Sequence, residues 1–149
     1  MFLINRTLSR GDIELLIQRA SGRIDRYYFP NLYTNVGLGR LAALEADEAV
    51  DPISHMAVGT GTTPAAGGDT ALEAEIAGSR VAVTKSGSGA SRIYTAVFVE
   101  GVGNGAITEA GLFSAATGGQ MSNRSVFGVK TKEPGEVFTF NWMLTHLRA

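Results

Sequence analysis

The chain has 149 residues, 13 basic and 14 acidic, with a formal net charge of -1 and 44% apolar content. That length fits one domain with an appended arm and can bury a core without metals or disulfides. The even charge balance gives no global attraction to nucleic acid or anionic membranes, and the lack of cysteine excludes disulfides and thiolate metal sites. Nineteen glycines stand against four prolines, nearly twice the usual glycine share of about 7%. Spread among Val, Thr and Phe, they point to the turns and bulges of a β-rich fold. No apolar run approaches the length of a membrane span, and MFLINRTLSRGD lacks the ordered regions of a signal peptide. The expected place of synthesis and folding is a cytosol.

Residues 1–33 read as an N-terminal helix and arm. Ser9-Arg10-Gly11-Asp12 resembles a capping box with Asp in place of Glu. Ile13, Leu16, Ile17 and Ala20 follow at helical spacing, and Gly22 is placed to end the helix. Residues 23–29 then alternate as a short strand. A second helix is expected over 34–50, with Thr34 or Asn35 as N-cap and Leu38, Leu41, Ala42 and Leu44 as its apolar face. Acids at Glu45, Asp47 and Glu48 oppose the helix dipole near its end, before Asp51-Pro52.

From residue 53 the pattern turns to strands. Residues 53–58 form one, followed by Gly59-Thr60-Gly61 and a polar loop to Asp69; residues 70–76 read as a short helix or irregular crossing. Strands follow over 81–84, 92–99, 107–114, 121–129 and 137–144, separated by Gly-rich turns. The expected class is α+β, mostly β: an antiparallel β-sandwich over residues 34–149, preceded by two helices and carrying an N-terminal arm. Phe138, Phe140 and Trp142 share one face of the last strand and are expected in the core. In Glu109-Ala110-Gly111-Leu112-Phe113, Ala110 and Leu112 take one face, with Glu109, Gly111 and Phe113 on the other.

Catalytic motifs are sparse. His55 sits on an alternating strand and His146 near the C-terminus, where ordered catalytic geometry is hard to hold; neither belongs to HExxH or to a helical pair. Gly101-Val102-Gly103-Asn104-Gly105-Ala106 satisfies a dinucleotide fingerprint by letter, but a strand follows it where a helix is required, so a hairpin turn is the plainer reading. Gly59-Thr60-Gly61-Thr62-Thr63 resembles a phosphate loop without its Lys-Ser/Thr ending and reads as a glycine-permitted turn. Arg19, Arg23 and Arg26 with Tyr27, Tyr28 and Phe29 could stack nucleobases, yet Arg and Tyr also anchor protein interfaces, and the neutral charge favours the interface. No catalytic, cofactor-binding or metal residues are expected, and no cofactor.

Two stretches carry a resemblance. One runs from Thr34-Asn35-Val36-Gly37 through His55-Met56-Ala57-Val58-Gly59-Thr60-Gly61 to Thr70-Ala71-Leu72-Glu73. The other runs from Thr108-Glu109-Ala110-Gly111-Leu112-Phe113 through Asn123-Arg124-Ser125 to Phe140-Asn141-Trp142-Met143-Leu144. In this order they resemble small virion proteins of tailed bacteriophages and, more distantly, the N-terminal attachment domain of phage tail-collar fibre proteins. The resemblance spans roughly residues 34–145 and implies a non-enzymatic structural subunit of the tail, neck, collar or baseplate. Other virion proteins would be its partners in a symmetric homo-oligomer, assembled in the bacterial host cytoplasm; from composition and charge, no membrane is expected and nucleic acid is disfavoured as a partner. A capsid decoration (cement) protein fits the same size and glycine-rich β character. A carbohydrate-binding module using Trp142, Tyr94 or Tyr28 is the alternative from another class.

Overall fold

A computed structural model describes residues 7–148 of the chain. Ten strands and one helix follow in the order β1 (Thr7–Gln18), β2 (Ile24–Pro30), β3 (Leu32–Tyr33), α1 (Asn35–Glu45), β4 (His55–Gly59), β5 (Val81–Ala82), β6 (Thr84–Ser86), β7 (Ser91–Phe98), β8 (Gly105–Phe113), β9 (Met121–Lys132) and β10 (Val137–Arg148). They make two five-stranded sheets. Sheet A has the order β2-β1-β10-β7-β6, sheet B the order β3-β9-β8-β4-β5, and neighbours are antiparallel throughout.

The first expected helix is a strand. Its apolar cluster can be read with either period, because Ile13, Leu15 and Ile17 alternate as well as Ile13, Leu16 and Ile17 recur. Ile13, Leu15 and Ile17 are all fully buried, while Ala20, which the helical reading placed on the apolar face, is exposed. The long alternating strand β10 offers a partner along the whole of β1, from Thr7↔Arg148 to Gln18↔Val137, and this pairing decides the period. Gly22 does adopt a left-handed φ of 88°, but it closes the β1–β2 turn instead of capping a helix. Over its described residues, the expected N-terminal arm is therefore sheet: β1 lies between β2 and β10, and β3 pairs with β9.

The second helix is present as α1. Thr34, fully buried, accepts from the Gly37 N–H at 2.9 Å and donates to the Met121 carbonyl at 2.7 Å, so its N-cap also ties the helix to β9. A Cβ at Gly37 would run into the Ser122 carbonyl, which explains glycine where α1 crosses β9. The helix stops at Glu45, and Asp47 takes a left-handed φ of 56°. Residues 70–76 form no helix; they cross as irregular chain with one bridge, Gly59↔Glu75.

One core cluster draws on both sheets. Ile13, Leu15, Phe138, Phe140 and Trp142 from sheet A join Met56, Val58, Ile107, Ala110 and Leu112 from sheet B. The expected core face of the last strand is thus buried. The opposite face of β8 is covered too: Phe113 packs with Ala57, Leu72 and Met121 in a second cluster, beneath the loop that follows β4. Outward from sheet A, a polar row crosses four strands. Tyr28 Oη donates to Glu14 at 3.3 Å, Asn141 Nδ2 donates to Glu14 at 3.0 Å, and Thr95 Oγ1 donates to Asn141 at 2.8 Å.

Candidate functional site

Four stretches far apart in the chain, around Gly61, Asp69–Ala74, Glu109 and Arg124, meet at one buried ion pair. Glu109 on β8 is fully buried, and Arg124 on β9 nearly so. β8 and β9 shift register between Ile107 and Glu109, which places Glu109 opposite Val126 and within reach of Arg124. Arg124 Nε and Nη2 both donate to Glu109 Oε2, at 3.0 and 2.8 Å. The other oxygen, Oε1, accepts from the Gly61 and Ala74 N–H groups at 3.0 and 2.8 Å, and the Glu73 N–H donates to Oε2 at 3.1 Å. Arg124 Nη1 then donates to Asp69 at 2.8 Å. Every oxygen lone pair and most guanidinium hydrogens are thus engaged, which is the condition for carrying charge inside a protein.

Gly59 and Gly61 are explained by this cluster. Neither has a positive φ. A Cβ at Gly61 would lie 2.5 Å from Glu73 Cβ and 2.6 Å from Glu109 Oε1, and one at Gly59 would lie 2.6 Å from the Ala74 carbonyl. The Gly-Thr-Gly run therefore serves close approach, where a glycine-permitted turn was expected. Thr108 Oγ1 adds a hydrogen bond to the Gly61 carbonyl at 2.7 Å. Burial opposes charge on Arg124, but its hydrogen bonds to Asp69 and Glu109 outweigh this and raise its pKa. The Asp69 carboxyl is held below its ordinary value by the Ala66 N–H first and Arg124 second.

The basic-aromatic run of β2 is divided between two faces. Tyr27 and Phe29 point to the core, where Phe29 stacks on Phe127 with centroids 4.3 Å apart, and Tyr28 points outward. Arg19 pairs with Asp25 at 2.9 Å and Glu136 at 3.0 Å, Arg23 pairs with Asp25 at 3.1 Å, and Arg26 faces Glu14 at 3.5 Å. No continuous stacking surface results. Gly101 and Gly103 have φ of 79° and 67°, and their turn joins β7 of sheet A to β8 of sheet B, so it is a corner between sheets and not the hairpin expected. Trp142 is fully buried and cannot offer its face to a sugar.

His55 Nδ1 lies 2.8 Å from Ser54 Oγ. His146 sits in β10, with its N–H on the Ala90 carbonyl at 3.0 Å, so the backbone there is ordered by pairing despite its nearness to the C-terminus. The two histidines are not brought together, and among the described residues no three His, Asp or Glu side chains gather to hold a metal.

A cavity of about 120 Å³ opens between α1, β3 and the adjoining ends of β6, β7 and β10. Tyr33, Arg40, Lys85, Arg92, Tyr94, Ser122 and His146 supply its polar lining. Arg40 is 6% exposed; it donates to Gln120 at 3.0 Å and to the Asp51 carbonyl. Burial raises the pKa of both phenols, so Tyr33 and Tyr94 keep their protons. Sequence reasoning had singled out Tyr94 and His146 but not Arg40 or Tyr33, which lie far from them along the chain. No protein-family model, curated protein or solved structure matches this chain.

Proposed function

We propose that this chain is a non-enzymatic structural subunit of a tailed-phage virion, at the tail, neck, collar or baseplate, and that its two sheets stack as a β-sandwich. The observation that carries the reading is the convergence at Glu109. The Gly59–Gly61 run, the Asp69–Glu73 segment, the Glu109–Phe113 strand and Arg124 are separate stretches of the resemblance, and one buried carboxylate links them. Selection for a stapled scaffold would keep such residues together in this order. The cluster is suited to holding chain, since the buried Glu109 carboxylate already accepts five hydrogen bonds, three of them from backbone N–H groups.

The sandwich reading is supported by the single core shared between the sheets. Tyr28, Val97 and Met143 are exposed on the outward side of sheet A and would serve contacts with further copies. Light scattering of the purified chain tests assembly, and antibody labelling of intact phage particles tests location. A defined oligomer and labelling at the tail or neck are expected. A strict monomer, with no label on any tailed particle, would overturn the proposal.

A further inference from the structure

We infer that the cavity beneath α1 is a binding site for a carboxylate borne on an apolar body, the chemistry of a polypeptide chain end. Its charge is one-sided. Arg40, Lys85 and Arg92 line it, and no carboxylate does among the described residues. Lys85 and Arg92 form no ion pair with any described acid, whereas Arg19, Arg23, Arg26, Arg80 and Arg124 all do. Asp51 is the acid whose charge Arg40 feels, and it stands outside the lining.

A second, independent sign is Tyr33. Its hydroxyl is buried and has no hydrogen-bond partner among the described residues. A buried phenol left without an acceptor is a desolvated donor that nothing compensates. An incoming carboxylate would accept from it. Arg40 is held by Gln120 and the Asp51 carbonyl, so its cation is fixed at the cavity wall before any anion arrives. Leu41, Leu44, Ile53 and Leu144 supply an apolar part of the wall. An apolar wall beside a cationic end suits a carboxylate borne on a hydrocarbon residue.

Titration of the full chain with N-acetyl-leucine, followed by amide chemical shifts, tests the assignment. Saturable shifts at Tyr33, Arg40 and Tyr94 are expected, with N-acetyl-leucine amide at least about tenfold weaker. Lys85→Gln with Arg92→Gln, both on exposed side chains, should weaken binding about tenfold without changing the fold. Tyr33→Phe should weaken binding about threefold while leaving stability unchanged or higher, a split that a purely structural tyrosine would not give. Equal binding of acid and amide, or no loss in the double variant, would overturn the site. Tighter binding of N-acetylneuraminate or inorganic phosphate than of N-acetyl-leucine would overturn the choice of ligand.

Discussion

Arg124 reaches Glu109 with two donors at 2.8 and 3.0 Å, across neighbouring strands of sheet B and beneath a loop that neither residue belongs to. The pair is what closes residues 60–75 onto the sheet, because the same carboxylate also accepts three backbone N–H groups from that loop. Removing one partner strands the other as a buried, uncompensated charge. Arg124→Met or Glu109→Gln is expected to cost about 3–5 kcal/mol in urea unfolding. The double variant should cost clearly less than the sum of the two singles. Additive losses would show that the pair is not the closing element.

Gly61 provides a test that leaves the charges in place. Its Cβ would collide with Glu73 Cβ and Glu109 Oε1, so Gly61→Ala should destabilise by about 1–3 kcal/mol and open the loop to limited proteolysis. Gly68→Ala, in the same loop with open space around it, should be near neutral. Similar behaviour of the two variants would sink the close-approach explanation.

The N-terminal segment should behave as core. Leu15 is fully buried against residues of both sheets, and Leu15→Ala is expected to lower stability by about 2–5 kcal/mol. Deleting residues 1–18 removes the strand between β2 and β10 and should abolish cooperative unfolding seen by circular dichroism. A truncated chain that still melts cooperatively would restore the detachable-arm reading.

Acid should loosen the molecule in a defined window. The pKa of Asp25 is lowered by Arg19 above all. That of Asp69 is lowered by the Ala66 N–H and then Arg124, that of Glu73 by Thr63, and that of Glu136 by the Glu133 N–H and then Arg19. Folded-state values below the ordinary 3.8 of Asp and 4.5 of Glu mean that the unfolded chain takes up protons first as pH falls. The stabilisation is therefore complete above these ordinary values and is lost as pH drops through the folded ones. The urea midpoint should hold steady from about pH 7 to about pH 5 and decline towards about pH 3. Asp69→Asn should reduce the decline, and a midpoint independent of pH would contradict the assignment.

Features that depend on neighbours along the chain were legible before any fold was known. Period-two alternation located β7 and β10 and put Phe138, Phe140 and Trp142 in the core. The Thr34-Asn35 pair announced the start of α1, with Thr34 the cap, and the two faces of Glu109–Phe113 were separated as observed, Ala110 and Leu112 in one cluster and Phe113 in the other. Local patterning could not decide residues 13–20. There Ile13, Leu15, Leu16 and Ile17 satisfy two periods at once, and only pairing with β10, more than a hundred residues away, selects the strand.

The same limit hid both sites. Glu109, Arg124 and Asp69 carry no motif as a set, and Tyr33, Arg40, Lys85 and Arg92 come from four separate elements. Charge and hydrogen-bonding partners act over a few ångströms of space regardless of sequence separation, so which ionisable groups meet, and which remain without a partner, was decided only when the sheets closed.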